Sequence, residues 1–324
     1  MNNENNTPFY KSPWLLGGLV IIAVFVLCFV AIDYVSKPDE PKEPEIEEVV
    51  IATGQTNPEL IALAKKQGWI GEDATEMTSI DASKVKELGD ALKGSNLKHF
   101  HEFGYFVGVE EILPEAFAGS IELASVTIPR NVISISEGAF ADCPALTEMR
   151  VDTANTHYDS REDCNGIICT WKGKLMLVAG CRTTKVLDNV RYIAPQAFRG
   201  QSAIKAVALP EKMDEIGEEA FRDCTSLEAF IVPQGVRFVE PGTFSGCSEL
   251  KIITLSKSVE RLKKDAFKGC TSLTSIMCVK KYPPIVEDAF DEYKATVFVP
   301  KGMQNTYYAS KYWKDFPTVV EVQN

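Results

Sequence analysis

The chain has 324 residues, enough for two average domains or for one elongated array with attachments. Hydrophobic residues make up 45% of it and charged residues 24%, which excludes both a disordered polyelectrolyte and a polytopic membrane protein. The net charge of -11 and the lack of a basic cluster argue against nucleic acid binding. Three histidines, at 99, 101 and 157, leave little material for general base catalysis or a metal site. We therefore expect no enzyme, no cofactor, no metal and no nucleic acid partner.

A membrane-spanning segment is predicted near the amino terminus. Residues 13–32 contain no charged side chain, and a helix of that length spans about 30 Å, the thickness of a bilayer's hydrocarbon core. Trp14 and Tyr34 stand at its ends, where aromatic side chains favour the headgroup level. The pattern predicts a transmembrane helix over 13–34 after a short leader over 1–12. A cleaved signal peptide is the alternative, although such peptides usually have a shorter apolar stretch.

An acidic stretch over 35–56 follows, with Pro38, Pro41 and Pro44 interleaved among charges. This composition stays extended and solvated, so it predicts a stalk. A small helical cap is predicted over 57–96, because two amphipathic helices with end signals lie there and neither can bury its apolar face alone.

The first cap helix is predicted to begin at Asn57 and to end at Gly68. The second is predicted to begin at Asp81 or Ser83 and to end at Gly94. We expect the pair to cover the open end of the array that follows.

The aromatic positions of the remaining chain repeat every 23 residues. The period relates Phe117 to Phe140, and then Phe198, Phe221, Phe244, Phe267 and Phe290 to one another. An aliphatic side chain follows six residues after each of the first six, at Leu123, Leu146, Ile204, Leu227, Leu250 and Leu273. Each unit has two apolar stretches too short for a helix, so two short strands per turn are expected. One unit cannot bury its own Phe and Leu, and stacking the units would give a continuous core.

The sequence therefore predicts a mainly β solenoid of 23-residue units over 97–298 and a C-terminal capping segment over 299–324. Trp313 is expected to close the last turn together with Tyr307, Tyr312 and Phe316. Phe140 and Phe198 are 58 residues apart, so an insertion interrupts the array there. Its two apolar runs around Lys172 predict a hairpin near 160–180 that projects from the stack.

Four cysteines share one place in the repeat, three residues after a Phe: Cys143, Cys224, Cys247 and Cys270. Rungs about 4.8 Å apart would strain disulfides between them, and no histidine is near to share a metal, so buried apolar thiols are expected. Cys164, Cys169 and Cys181 lie in the inserted unit, where a disulfide between one pair stays open. His99 and His101 alternate along a strand, but no third metal ligand is evident.

The repeat units resemble a known family. AFADCPALTEM, AFRDCTSLEAFIVP, TFSGCSELKIITL and AFKGCTSLTSI resemble the BspA-like leucine-rich repeat, and the resemblance covers about residues 97–324. It implies a curved solenoid exposed on, or secreted from, the surface of anaerobic bacteria or parasites, with roles in adhesion. With the predicted anchor, it favours a single-pass protein with its N terminus in the cytoplasm and its solenoid in the periplasm or outside the cell.

Alternation along the strand after each Leu predicts an outward row, the fourth residue after that Leu in each unit. The candidate ligand contacts are this row together with the tryptophan of the hairpin: Arg150, Ala208, Ile231, Thr254, Met277 and Trp171. An exposed apolar stripe of this kind marks a contact site, and ordinary strand composition is the other interpretation.

These observations predict a membrane-anchored, non-catalytic protein that binds another macromolecule, a protein or a glycan, on the solenoid face. The alternative is a structural envelope protein that packs against other envelope proteins and has no host ligand.

Overall fold

The computed structural model describes residues 46–323. The predicted leader and transmembrane helix, and the stalk up to residue 45, lie outside the described residues. In the part of the chain that the structure describes, no helix combines the length and apolarity needed to cross a membrane. The residues from Glu48 onward form one compact unit that contains the whole repeat array.

The N-terminal cap combines a small sheet with two helices. Strand β1 (Val50–Thr53) pairs antiparallel with β2 (Glu76–Thr78). Helix α1 (Pro58–Lys66) lies between these strands in the sequence, and α2 (Ser79–Lys84) follows β2. The predicted stalk is therefore too long, since its last residues already belong to the cap, and the cap is not purely helical.

The second predicted cap helix is wrong in position and length. The Thr78 hydroxyl accepts the Asp81 N–H at 3.2 Å, and the Asp81 carboxylate accepts the Thr78 N–H at 3.0 Å, so a capping box starts α2 earlier than expected. The helix ends after six residues because Val85 is extended. A Cβ at Gly108 would lie 2.4 Å from the Ser83 and Val85 carbonyl oxygens, so the backbone around Gly108 packs directly on this bend.

The first half of the array consists of two parallel ladders. Its strands are β3 (His99–Phe100), β4 (Glu111–Ile112), β5 (Ser125–Ile128), β6 (Ser134–Ile135) and β7 (Glu148–Val151). The strands that follow the repeated Leu form the first ladder, here β3-β5-β7. The strands that precede the repeated Phe form the second ladder, here β4-β6. The expected two strands per turn are therefore present.

The inserted unit forms a five-stranded sheet in the order β12-β11-β10-β9-β8. Its strands are β8 (Tyr158–Asp159), β9 (Gly166–Trp171), β10 (Lys174–Gly180), β11 (Val190–Ile193) and β12 (Glu215–Ile216). Strands β9 and β10 form an antiparallel hairpin, while β10, β11 and β12 run parallel as rungs of the second ladder.

The hairpin does not simply project from the stack as predicted. Ile167 and Ile168 of β9 are both fully buried, the first in the core of the N-terminal half and the second in the core of the C-terminal half. Only the tip around Lys172 is exposed. The base of the hairpin is thus a rung that separates two hydrophobic cores.

The second half of the array repeats the two ladders and extends to the end of the described chain. Its elements are β13 (Ala229–Ile231), β14 (Phe238–Val239), β15 (Ile252–Leu255), β16 (Arg261–Leu262), β17 (Ser275–Cys278), β18 (Ile285–Val286), β19 (Thr296–Pro300), α3 (Gln304–Tyr308) and β20 (Thr318–Val322). The first ladder runs β13-β15-β17-β19-β20, and the second runs β14-β16-β18.

The C-terminal capping segment therefore contributes to the sheet, which corrects the predicted boundary at 298. Strand β19 crosses that boundary, and β20 adds one further parallel rung. Trp313, Tyr307 and Phe316 are buried behind it, and Tyr312 is half-buried. The indole N–H of Trp313 donates to the Pro284 carbonyl at 2.7 Å, which fixes the closing segment to the preceding unit.

The seven repeated phenylalanines are all buried, and five of their six consecutive pairs stack, which gives two separate stacks. Ring centroids of Phe117 and Phe140 lie 4.7 Å apart. From Phe198 to Phe290 the successive distances are 5.1, 5.8, 5.5 and 5.0 Å, with planes within 12° of parallel. Phe140 does not stack on Phe198, because the base of the hairpin lies between the two cores. The aliphatic positions are buried as well: Leu123, Leu146, Ile204, Leu227, Leu250 and Leu273.

The repeated thiols join consecutive units by hydrogen bonds. The Sγ atoms of Cys224, Cys247 and Cys270 donate to the carbonyl oxygens of Phe198, Phe221 and Phe244 at 3.1–3.2 Å, and Cys143 does the same to Phe117 at 3.1 Å. Every cysteine that the structure describes is a free thiol, so the pairing left open for the inserted unit is not formed.

Three units carry another residue in place of this cysteine: the last one has Tyr293, and the other two lie at a joint of the stack. Ser120 is at the joint with the cap, and its hydroxyl donates to the Leu92 carbonyl at 2.6 Å. Gln201 is at the joint with the insertion, and its amide nitrogen donates to the Cys143 carbonyl at 3.0 Å. At both joints the side chain at this position thus donates a hydrogen bond to the preceding segment, and the length of that side chain differs between the joints.

The phenylalanine column gives a direct test of stability. Phe244 lies between Phe221 and Phe267, so Phe244→Ala should leave a cavity and lower the free energy of unfolding by about 3–5 kcal/mol. Urea denaturation followed by circular dichroism measures the loss. Tyr282→Ala is the control, because Tyr282 is 73% exposed, and should change stability by less than about 0.5 kcal/mol. Equal losses in the two variants would contradict the column as the stabilising core.

The thiol column should make stability fall in alkaline solution. Burial raises the pKa of Cys143, Cys224 and Cys270 to about 12, whereas an unfolded thiol ionises near pH 8.5. The unfolded chain therefore loses protons first. The contribution of these thiols to the free energy of unfolding is complete below about pH 8.5. It falls as the pH rises towards 12, by roughly 1.4 kcal/mol per pH unit for each thiol.

Urea midpoints at about pH 8 and about pH 10 measure this decline. Cys224→Ala removes one such thiol, so its decline should be smaller than that of the unaltered chain. The same slope in both proteins would show that the buried thiols do not carry the effect.

Candidate binding surface

The outward side of the C-terminal first ladder carries two rows of side chains in register. One row is Ala229, Ile252, Ser275, Thr296 and Thr318, and the other is Ile231, Thr254, Met277, Phe298 and Val320. The residues between them, such as Ile253 and Ile276, are fully buried. Alternation along each strand therefore divides it into a core side and an outward side.

Five members of these rows form what we call the apolar face: Ile231, Ile252, Met277, Phe298 and Val320. Ile231 is 69% exposed, Ile252 44% and Val320 37%, while Met277 and Phe298 are half-buried. The strands are about 4.8 Å apart, so the face runs for roughly 20 Å across the five-stranded sheet. Contiguous exposed apolar residues of this kind are typical of an interaction site.

The structure brings together only part of the predicted ligand row. Ile231, Thr254 and Met277 are adjacent partners on β13, β15 and β17. Ala208 is exposed but belongs to no strand, and Arg150 is exposed on β7 of the other half. The insertion interrupts the first ladder between them, so the row is not continuous.

Trp171 lies away from this row, at the tip of the inserted hairpin. Its ring meets that of Tyr192 edge to face at 4.8 Å, and the ammonium of Lys172 lies 3.6 Å from its centre. The indole is half-buried by these contacts. It is therefore a local packing group of the hairpin and is not part of the apolar face.

Sequence reasoning missed Phe298 and Val320. The 23-residue period ends at Phe290, so these two residues cannot be indexed from a repeated Leu. Alternating apolar residues over 296–300 and 318–322 were the available signal for two more strands.

The outward side of the N-terminal first ladder is polar and internally paired. The Ser125 hydroxyl lies 2.9 Å from Nδ1 of His99 and 3.0 Å from Nε2 of His101. On the next strand Arg150 forms an ion pair with Glu148 and holds the pKa of that carboxyl below its usual range. The histidines do share one side, as predicted, and no group of three metal-ligating side chains occurs among residues 46–323.

Cys164 and His157 are not arranged as a nucleophile with its base. The Cys164 thiol is buried and donates to the Gly166 carbonyl at 3.4 Å, whereas Nδ1 of His157 lies 3.1 Å from the Thr156 hydroxyl on the surface. Burial raises the pKa of Cys164, which disfavours the reactive thiolate.

The outward side of the second ladder is covered by ion pairs between units. Arg237 pairs with Glu260 at 2.8 Å and Lys263 with Glu240 at 2.6 Å. Such a surface remains solvated. The apolar face therefore differs from the outward sides of the second ladder and of the N-terminal first ladder.

The edge of β7 shows how the sheet ends where the insertion begins. The Asn165 side chain accepts the Met149 N–H at 2.8 Å and donates to the Thr147 carbonyl, and the Ser160 hydroxyl accepts the Val151 N–H at 3.2 Å. Side chains thus replace the missing neighbouring strand. The depression of about 580 Å³ beside this edge includes Thr147, Ser160 and Asn165 in its lining, and these residues are already engaged in such bonds.

Comparison with solved structures gives remote likenesses. A leucine rich cell surface protein from Faecalibacterium prausnitzii is 18% identical, with a TM-score of 0.47, over 67% of this chain and 58% of that one. A leucine-rich repeat protein from Eubacterium ventriosum is 18% identical, with a TM-score of 0.43, over 66% of this chain and 61% of that one. The pneumococcal vaccine antigen PcpA is 17% identical, with a TM-score of 0.45, over 71% of this chain and 69% of that one. The chain thus spans less than two thirds of the length of the first two.

No curated protein matches the chain. The profile of the BspA type leucine rich repeat region matches six copies over residues 78–162 and 179–296. These ranges cover more than half of the chain and include the phenylalanine and thiol columns of both halves. The chain therefore belongs to the BspA type leucine rich repeat family.

Proposed function

We propose that this protein is a non-catalytic binding protein of the cell envelope, and that it binds another protein through the apolar face. The observation that carries the proposal is the continuity of that face across five adjacent strands, from Ile231 to Val320. Single exposed apolar side chains are ordinary on a protein surface, whereas a contiguous set is typical of an interface.

The fold supports this role because it holds the face rigid. Each strand of the face is paired on both sides except at the ends of the ladder, and its inward residues pack in one continuous core. A preformed surface loses little conformational entropy on binding, so many weak contacts can add up to a useful affinity.

A protein partner suits the apolar face better than a glycan does. A buried sugar hydroxyl needs a hydrogen-bond partner, and the face offers mainly aliphatic groups with the hydroxyls of Thr254 and Ser275. Apolar side chains of a protein partner would be buried against Ile231 and Ile252 without this cost.

We expect substitutions on the apolar face to abolish binding without unfolding the protein. In Ile231→Glu with Ile252→Glu, two carboxylates replace the most exposed apolar groups, and capture of the partner should fall roughly tenfold or more. A photo-crosslinking residue in place of Thr254 measures capture in intact cells, as the amount of one discrete adduct.

Ile121→Glu with Leu113→Glu is the matched control, since these residues are 66% and 47% exposed and lie outside the apolar face. The control should give the adduct in the same amount as the unaltered chain. An equal amount in the Ile231 and Ile252 variant would rule out the apolar face as the binding surface.

Anchorage and display are also part of the proposal. Residues 13–34 would hold the protein in a membrane, with the repeat array outside the cytoplasm, because their composition matches a transmembrane helix. The alternative function is a structural component that packs against other envelope proteins. The same anchor favours it, because an array anchored in an inner membrane cannot reach a host from behind an outer membrane.

Protease treatment of intact cells separates the two functions. Display on the surface predicts loss of the repeat array, since the acidic, Pro-rich composition before the cap predicts a linker that proteases can cut. An envelope component predicts protection until the envelope is opened. A cytoplasmic marker protein that stays intact is the control, and protection of the array even in opened envelopes would contradict both topologies.

A further inference from the structure

The apolar face is bordered on one side by lysines that come from successive units. The carboxyl ends of parallel strands meet at one edge of a sheet. The residues that directly follow β15, β17 and β19 at this edge include Lys257, Lys280, Lys281 and Lys301. We call these four residues the basic edge. No Asp or Glu occurs in the segments 232–235, 256–258, 279–282 and 301–303 that form this border.

Among residues 46–323 no ion pair offsets the charge of the basic edge, although the carboxylates of Glu260 and Glu321 lie near Lys280 and Lys301. Within residues 46–323, Lys257, Lys281 and Lys301 are exposed and form no ion pair. Lys280 donates to the Val259 carbonyl at 3.1 Å. Backbone N–H groups, including that of Gln304 at 3.0 Å, and the nearby Lys301 hold the pKa of Glu321 below its usual range, so this carboxylate offsets part of the charge of Lys301. Lys257 and Lys281 carry the uncompensated charge of the edge.

Other borders of the first ladder are compensated. At the opposite edge of the same sheet, Lys251 pairs with Glu228 at 3.2 Å. In the N-terminal half, Arg130 pairs with Asp152 at 3.4 Å at the edge that corresponds to the basic edge. The chain as a whole is acidic at -11, yet residues 229–323 contain thirteen basic and ten acidic side chains. The C-terminal part of the array thus has a net charge of opposite sign to that of the whole chain.

We infer that the partner of the apolar face is an acidic polypeptide segment, with apolar side chains against the sheet and carboxylates at the basic edge. The inference rests on the proposed function and specifies its ligand. Unpaired lysines beside an apolar surface attract a negatively charged partner from solution and fix its orientation once it is bound.

An anionic lipid surface would also supply negative charge, but the shape of the face disfavours it. Met277 and Phe298, in the middle of the face, are half-buried within a sheet. Association with a membrane interface requires apolar groups that enter the headgroup region. The polypeptide is therefore the occupant that we propose, and lipid binding becomes an outcome of the test.

The probe is a synthetic peptide in which Glu alternates with Ile and Val, labelled for fluorescence anisotropy and mixed with the full-length protein in detergent. The unaltered protein should bind it, and a peptide with Lys in place of each Glu should not bind. Lys257→Glu, Lys281→Glu and Lys301→Glu together should weaken binding roughly tenfold or more, and added salt should weaken binding to the unaltered protein.

The matched control carries Lys66→Glu, Lys185→Glu and Lys264→Glu, three exposed lysines of the cap, the insertion and the second ladder. Its net charge changes by the same amount, so a decrease confined to the basic-edge variant supports a local site. Equal weakening in both variants would show only a general charge effect and would overturn the inference.

Two other results would also overturn it. One is failure of the unaltered protein to prefer the acidic peptide over the lysine peptide. The other is binding to vesicles of phosphatidylglycerol and phosphatidylcholine in equal parts, dependent on the basic edge, with no peptide binding. In each case the adduct lost on Ile231→Glu with Ile252→Glu would still support protein binding by the apolar face, so the two proposals fail separately.

Discussion

Burial in this protein depends on contact between like side chains of successive units. A 23-residue unit has too little volume to cover its own Phe and Leu, and each becomes buried only when the next unit lies against it. The column from Phe198 to Phe290, with rings 5.0–5.8 Å apart and nearly parallel, is the direct expression of this constraint. The thiol hydrogen bonds fix the spacing from one unit to the next, because each donor reaches a carbonyl of the preceding unit.

The same constraint explains how the array accommodates its cap and its insertion. Because successive units must remain in contact, an inserted element fits into the array only if it also buries apolar side chains against its neighbours. The hairpin does so with Ile167 towards one core and Ile168 towards the other. At these joints Ser120 and Gln201 replace the thiol, and both still donate a hydrogen bond across the joint. Asn165 supplies the hydrogen bonds that the interrupted strand would otherwise lack.

The outward surfaces follow different rules, since stacking does not constrain them. The outward side chains of the second ladder form ion pairs between units. Those of the N-terminal first ladder form a polar network around Ser125. The C-terminal first ladder instead keeps apolar residues where water would favour polar ones. The lysines of the basic edge form no ion pair among the described residues, so this region departs from the other ladders in both polarity and charge.

The sequence by itself determined the period, the two strands per turn and the members of each buried column, because stacking makes the same position repeat the same side chain. It also identified Ile231, Thr254 and Met277 as neighbours, since the period is unbroken between them. Only the tertiary structure decided which units touch. It separated Arg150 from this row by the insertion, ended α2 at Lys84 and added Phe298 and Val320 from strands outside the period. It also assembled the basic edge from lysines of different units. Local patterns specify what repeats, whereas contact between units far apart in sequence determines which surfaces are continuous.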